Sequence, residues 1–317
     1  MFKRLFVVLV LVGMVLMASS AFAASLSIAT GGSAGTYYPI GGAIAAATSK
    51  VDGLNVTAET SNASVANAAQ VALGEIEIAF CQADVTAWAY NGEVLEQFIG
   101  KPLTNLRAIA ALYPETLQLV VSKQSGIKTL EDLKGKRVGV GAPGSGTEGD
   151  VRAIFNAVGL SYNDMRIEFL DFNGISNRFK DEQIDAGFVV AGIPTAALMD
   201  LTTTKDVTLV NFDSATMAKL IASAPFFAPN VVPAGTYTGI DVDINTPSIM
   251  ALLITQAEQR EDVVYAFTKG LFDNIADVQA SHAMARNITL ENATVGLTAP
   301  LHPGAARFYR EKGIKVD

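Results

Sequence analysis

Cysteine is all but absent: Cys81 is the single one in 317 residues, so no intramolecular disulfide can form and packing alone must hold the fold. With no basic partner in view, it reads as a small buried hydrophobe. Histidine is equally scarce. His282 and His302 read as surface residues with no Cys or carboxylate at ligand spacing, which argues against zinc. Basic residues are outnumbered, 23 Lys and Arg to 31 Asp and Glu, a net charge of −8. A chain of that sign repels phosphate backbones, and it has no basic stripe interleaved with aromatics, so nucleic acid is not an expected partner. Long apolar runs are missing too. Leu5 to Met17 falls short of the ~20 residues a spanning helix needs, and no later segment would span. No H-E-x-x-H occurs, no turn supplies G-K-[ST], and Gly144-Ser145-Gly146 lacks the spacing and the His of a serine nucleophile site.

What is present is apolar: 50% of the residues, enough for a large core. Residues 1–23 read as a secretory signal, with Lys3 and Arg4 ahead of the apolar run and Ala21-Phe22-Ala23 as an A-x-A cleavage site. The mature protein is therefore expected in the periplasm, free and soluble, as a monomer.

Downstream, short apolar strands alternate with helical periodicity. Strands are expected over 26–30, 54–59, 76–80 and 106–112, with helices over 39–50, 61–73 and 84–90 between them. A second series follows, with strands over 117–121, 137–141, 166–171, 186–190 and 207–211 and helices over 147–158, 175–181 and 195–200. The remaining strand over 248–255 and helices over 262–274 and 304–312 are too little for a third domain. The expected fold is α/β: two doubly wound lobes with parallel sheets covered on both faces, residues 24–115 with 249–317 forming lobe 1 and 116–248 lobe 2. Crossings near 113–117 and 245–248 would make a hinge that lets the lobes close on a ligand.

Small-residue turns after strands mark the candidate site. Thr30-Gly31-Gly32-Ser33-Ala34-Gly35-Thr36-Tyr37-Tyr38-Pro39 joins a strand end to a helix start, with Pro39 at an expected first helical position; its free N–H groups and the Ser33 and Thr36 hydroxyls suit a carboxylate. Lobe 2 repeats the device at Ala142-Pro143-Gly144-Ser145-Gly146-Thr147, ahead of a helix with Val151, Ile154, Phe155 and Val158 on its apolar stripe. Gly139, Gly141 and Gly144 also satisfy G-x-G-x-x-G. Gly139 and Gly141 fall inside the strand, however, and Pro143 sits where backbone should approach pyrophosphate, so a dinucleotide is disfavoured and no cofactor is expected. Ser61-Asn62-Ala63-Ser64 opens a third helix, where Ser61 or Asn62 caps or binds. After the next strand, Asp84 is expected to cap a helix while Gln82 faces a polar ligand. Ala191 and Gly192, in the Val190 to Thr195 turn, complete the set. Asp241, Asp243 and Asn245 begin like a calcium loop but lack its Gly and Glu.

The first turn through Gly41-Gly42, then Ser61-Asn62-Ala63-Ser64, Gln82-Ala83-Asp84, the D-L-K-G-K-R-V string within 130–140 and the closing Gly304-Ala305-Ala306-Arg307-Phe308-Tyr309 resemble the TAXI family of extracytoplasmic solute receptors, which serve tripartite ATP-independent periplasmic (TRAP) transporters. The resemblance spans the whole mature chain. It implies a two-lobed type II periplasmic binding protein of Venus-flytrap form, without catalysis, that hands a small carboxylate or amino acid to a TRAP membrane permease. Glutamate, glutamine and related dicarboxylates are the implied ligands. The contacts carried over are Gly35, Thr36, Tyr37, Asn62, Ser64, Gln82, Ser145, Gly146 and Thr147. The family's usual Ser after the Gln is Ala83 here. Two other functions stay open: an exported NAD-dependent oxidoreductase using the Gly139 to Gly144 string, and a protein presenting ligand to a sensor kinase. A second acid group on the ligand would call for Arg107, Arg152 or Arg178.

Overall fold

A computed structural model describes residues 24–316; the expected leader, residues 1–23, lies outside them. The first half runs β1 (Ala24–Ala29), α1 (Tyr37–Thr48), β2 (Leu54–Glu59), α2 (Ser64–Leu73), β3 (Ile78–Gln82), α3 (Ala83–Asn91) and β4 (Leu106–Ser122). Then come β5 (Arg137–Gly139), α4 (Gly146–Val158), β6 (Arg166–Glu168), α5 (Phe172–Lys180), β7 (Ala186–Ala191), α6 (Ala196–Thr204), β8 (Val207–Leu209), α7 (Ser214–Ser223), β9 (Ala228–Val232) and β10 (Ile244–Gln256). Helices α8 (Glu261–Asp273), α9 (Ile275–Ser281) and α10 (Pro303–Glu311) finish the chain.

The strands order as β2-β1-β3-β10-β4-β7-β5-β6, with β8 against β4 and β9 against β10. Every residue of β3 and β7 is buried, because helices cover both faces; apolar strands without in-out alternation have that meaning. In α4, Val151, Ile154 and Phe155 are buried at helical spacing, and Gly159 ends the helix in the left-handed conformation (φ 75°).

Several expectations are corrected. The strands expected over 106–112 and 117–121 are one strand, β4, and the crossing expected near 113–117 is its middle. Pro114 is tolerated there because the pairing with β10 shifts register beside it, between Met250 and Leu252, and a bulge leaves room for a residue without an N–H. The sheet is mixed rather than parallel: β10 runs antiparallel to both β3 and β4, and β4 to β7, whereas β1–β2, β1–β3, β5–β6 and β5–β7 are parallel. The returning β10 accounts for its own pairings, since it runs back along β3 and β4; β4 meets β7 antiparallel because it continues unbroken past Thr116 into the second series. The elements α7, β9 and α9 were not anticipated. Helix α1 starts at Tyr37, so Pro39 stands inside its first turn rather than at its first position.

The closing Gly-Ala-Ala-Arg-Phe-Tyr string is a packing motif. A Cβ on Gly304 would lie 2.3 Å from the Glu261 carbonyl oxygen and 2.7 Å from Tyr265 N, so α10 touches the backbone of α8. Arg307 lies 3.7 Å over the Tyr265 ring, and Tyr309 donates to the Ile109 carbonyl at 2.9 Å, tying α10 to β4. Because the clash is with backbone and no rotamer relieves it, Gly304→Ala is expected to cost at least ~2 kcal/mol, read as a lower urea midpoint at unchanged slope. An unchanged midpoint would contradict the close approach.

Candidate functional site

The four small-residue turns meet in one cavity of about 720 Å3, mouth included, at the carboxyl ends of the strands. Each turn follows a strand that stops where the polar backbone needs other partners. After β1, Gly35 N donates to Gly32 O at 3.0 Å and folds the turn back so that α1 starts on the cavity. After β2, Ser61 Oγ accepts from Ala63 N at 3.0 Å and donates to Asn67 Oδ1 at 2.7 Å, which holds the start of α2 in place. In the second half, Ser145 caps α4 by accepting from Glu148 N at 3.2 Å, and Asp171 caps α5 by accepting from Gly174 N at 2.7 Å.

Of the residues singled out in the sequence, Gly35, Thr36, Tyr37, Asn62, Ser64, Gln82, Ser145, Gly146, Thr147 and Ala191 line the cavity. Gly192 does not. Its carbonyl accepts from Thr36 Oγ1 at 2.9 Å, so the Thr36 proton, which sequence alone offers to an anion, instead joins the two halves. Gly144 O accepts from Ala66 N at 3.0 Å and Ala34 O from Ala197 N at 3.3 Å across the same cleft. Trp88 and Leu95 pack on Gly149 of α4. The first-half and second-half turns are in direct contact.

Sequence reading missed Glu115, Asp171, Phe172 and Asn173, which also line the cavity. Glu115 sits mid-strand in β4, buried, and accepts from the Tyr37 hydroxyl, which also lies 3.4 Å from Ser64 Oγ. Burial pushes its carboxyl up to about 8; the Tyr37 bond works against the rise and the charge of Asp84 adds to it. The Tyr37 phenol is pushed well up by burial and by Glu115. No Lys or Arg is among the lining residues. Arg152 pairs with Glu148, Arg178 with Glu168, and Arg107 donates to the Thr104 and Leu106 carbonyls. What the lining offers an anion instead is the starts of α1, α2, α4 and α5, represented there by Tyr37, Ser64, Gly146 and Phe172.

Asp84 corrects an expectation. Gln82 occupies the cap position of α3, and Asp84 lies within the first turn, fully buried, with Oδ1 accepting from Val85 N at 2.7 Å. Its carboxyl faces that of Asp150 from α4, while Gln82 Nε2 donates to Asp150 Oδ2 at 3.0 Å. Asp84 Oδ2 and Asp150 Oδ1 have no N–H or O–H donor, so their contact is a hydrogen bond only when a proton lies between them. Burial raises both acids, and each one's charge or proton governs the other. The histidines are corrected as well. His302 is buried and caps α10, accepting from Gly304 N at 3.1 Å, and half-buried His282 accepts from Met284 N while Nε2 meets Pro194 O at 3.1 Å. Cys81 is buried, its thiol pushed up by burial. Among the described residues no three His, Cys, Asp or Glu are grouped to hold a metal ion, and no helix is long and apolar enough to cross a membrane.

The sequence profile of the NMT1-like family matches residues 28–313. A relative from Brucella abortus (strain 2308), named as a binding protein, is 28% identical over 144 residues, 45% of this chain and 40% of the relative, so the match spans less than half of that relative's length. A protein from Bordetella bronchiseptica RB50 has a similar structure, with TM-score 0.59 at 16% identity, over 93% of this chain and 99% of that one. A Listeria monocytogenes protein named as an L-cystine ABC transporter gives TM-score 0.50 at 13% identity, over 85% of this chain and 98% of its own. At these identities the likeness speaks for the fold alone, an α/β sheet covered by helices.

Proposed function

The chain belongs to the NMT1-like family, and from that premise we propose that it is an extracytoplasmic solute receptor of the TAXI type, which grips a small carboxylate such as glutamate, glutamine or a related dicarboxylate and delivers it to a TRAP membrane permease. The observation that carries this reading is the convergence of four helix starts, two from each half, on a cavity without Lys or Arg. Each start offers unpaired N–H groups to an anion. Hydrogen bonds to a charged group contribute roughly 1.5 to 3 kcal/mol each, so four near the upper end of that range reach about 12 kcal/mol, above the ~8 kcal/mol of a micromolar complex and with some left for closure.

Residues 24–115 with 249–317 form one lobe in this proposal and 116–248 the other. The hinge then lies in β4 and β10, whose pairing partners change along their length: β4 pairs with β10 up to Thr116 and with β7 from there on. Gly35, Thr36, Tyr37, Asn62, Ser64 and Gln82 are the ligand side of the first lobe; Ser145, Gly146, Thr147 and Ala191 are that of the second, with Gly192 as a latch for Thr36. Thermal shift and calorimetry with amino acids and organic acids test the reading: saturable micromolar binding of at least one carboxylate is expected, and silence across such a library, with folded protein, would end it. The name of the Listeria neighbour supports an ABC importer as an alternative partner. Uptake into proteoliposomes distinguishes the two, since the TRAP assignment requires a sodium gradient and no ATP.

A further inference from the structure

We infer that the bound solute presents a protonated nitrogen to Glu115, and that Glu115 is the residue selecting amino-bearing carboxylates over plain mono- and dicarboxylates. The inference rests on the receptor reading above and narrows its ligand class.

Glu115 is 3% exposed, yet it lines the cavity. One carboxyl oxygen, Oε2, accepts a hydrogen bond from the Tyr37 hydroxyl; the other has no hydrogen-bond partner among the described residues. A buried carboxylate that keeps its charge needs a cation or several donors. The lining residues supply no cation, and the second acid there, Asp171, adds negative charge. The three arginines raised as counter-ions are engaged elsewhere. With no cation beside it, a Glu115 buried in this way meets the constraint by holding a proton, in keeping with its rise to about 8. An ammonium group entering the cleft replaces that proton with a charge partner, while its carboxylate goes to the helix starts. A ligand with two carboxylates and no nitrogen gives Glu115 nothing to pair with and brings a further negative charge beside it. The cavity therefore combines free helix-start N–H groups with the buried Glu115 carboxyl, as the recognition of a zwitterion requires.

Calorimetric titration at pH 7 of wild type, Glu115→Gln and Glu115→Asp tests this, with the twenty amino acids and unaminated mono- and dicarboxylates of two to six carbons as probes. Wild type is expected to bind its best amino acid at least tenfold more tightly than the matching unaminated acid. Glu115→Gln should shrink that ratio at least tenfold, and Glu115→Asp, which keeps the charge, should preserve the order. Gln copies the protonated acid and still accepts from Tyr37, so an unchanged ratio would mean that Glu115 acts only as a neutral group, overturning the inference. Preference of wild type for an unaminated acid overturns it while leaving the receptor reading intact; failure of every probe removes both. Thermal unfolding at pH 5, where wild-type Glu115 is neutral, verifies that the variants fold.

Discussion

In Gly146→Ala, solute affinity is expected to fall at least a hundredfold while the ligand-free protein melts within about 2 °C of wild type. The two effects separate because Gly146 meets its obstacle only across the cleft. A Cβ there would lie 1.5 Å from Gln82 Oε1, 2.5 Å from Gln82 Cδ and 2.9 Å from Ser64 Oγ, all on what the proposal makes the opposite lobe. Within its own helix, at the first position of α4, alanine is at least as good a residue as glycine. Gln82 has little freedom to retreat: it is buried, its backbone N–H donates to Ser64 Oγ at 3.1 Å, and its amide nitrogen holds Asp150. Closure in the variant must therefore expel Gln82 and abandon that bond, or stop short and leave the ligand wet. Adding Gln82→Ala makes room and should recover part of the loss in a double-mutant cycle. Full affinity in Gly146→Ala would show that the lobes do not approach this closely around ligand.

The second large effect is of pH. Above about pH 8, where Glu115 has already lost its proton in the free protein, wild-type affinity should fall by up to tenfold per unit until the shared proton is lost, whereas Asp150→Asn should be nearly flat there and bind more tightly than wild type; below about pH 8 the proton that Glu115 releases to the ligand offsets the one the pair takes up. The sign follows from the proton count. In the open form that the receptor proposal requires, Asp84 and Asp150 would face water and be ionised above their ordinary value near 3.8. With the lobes together their carboxyls face each other, both are raised by burial, and one proton must be held between them. Closure takes up a proton, so rising pH opposes it from the ordinary aspartate value up to the raised one; below the ordinary value the dependence vanishes. The amide introduced by Asp150→Asn keeps an oxygen for Gln82 and offers N–H to Asp84 without any proton from solution. The other groups acting on the pair are accounted for. Glu115 adds negative charge and reinforces the rise, and Tyr37 and Cys81, both pushed upward, stay neutral. His282, across the cleft from Pro194, is lowered by burial and opposes closure only below its ordinary value near 6.5, outside the measured range. Parallel pH profiles for the two proteins would remove the shared proton.

Much of this site was legible one turn at a time. Gly35, Ser64, Gln82 and Ser145 were found because each stands between a strand and a helix, where backbone N–H groups are left over. The acids were not. Glu115 follows Pro114 in what resembled a break between strands, and Asp150 sits in the Glu148 to Arg152 stretch of α4, whose other charges make an exposed ion pair. Asp84 had the sequence of a helix cap. A charge in such settings signals solvent unless another segment covers it, and the segment covering Asp84 is α4, which the chain reaches only after β4 and β5.

From sequence alone came the alternation of strands and helices, the small-residue turns and the apolar content that a disulfide-free fold requires, all of them consequences of neighbours within a few residues. Tertiary structure decided the mixed sheet, the unbroken β4 and the identity of the buried acids. Those depend on which distant segments meet: antiparallel return of β10 along β4 and the approach of α4 to Gln82 set the local dielectric, and the dielectric determines whether a carboxyl keeps its charge or takes a proton.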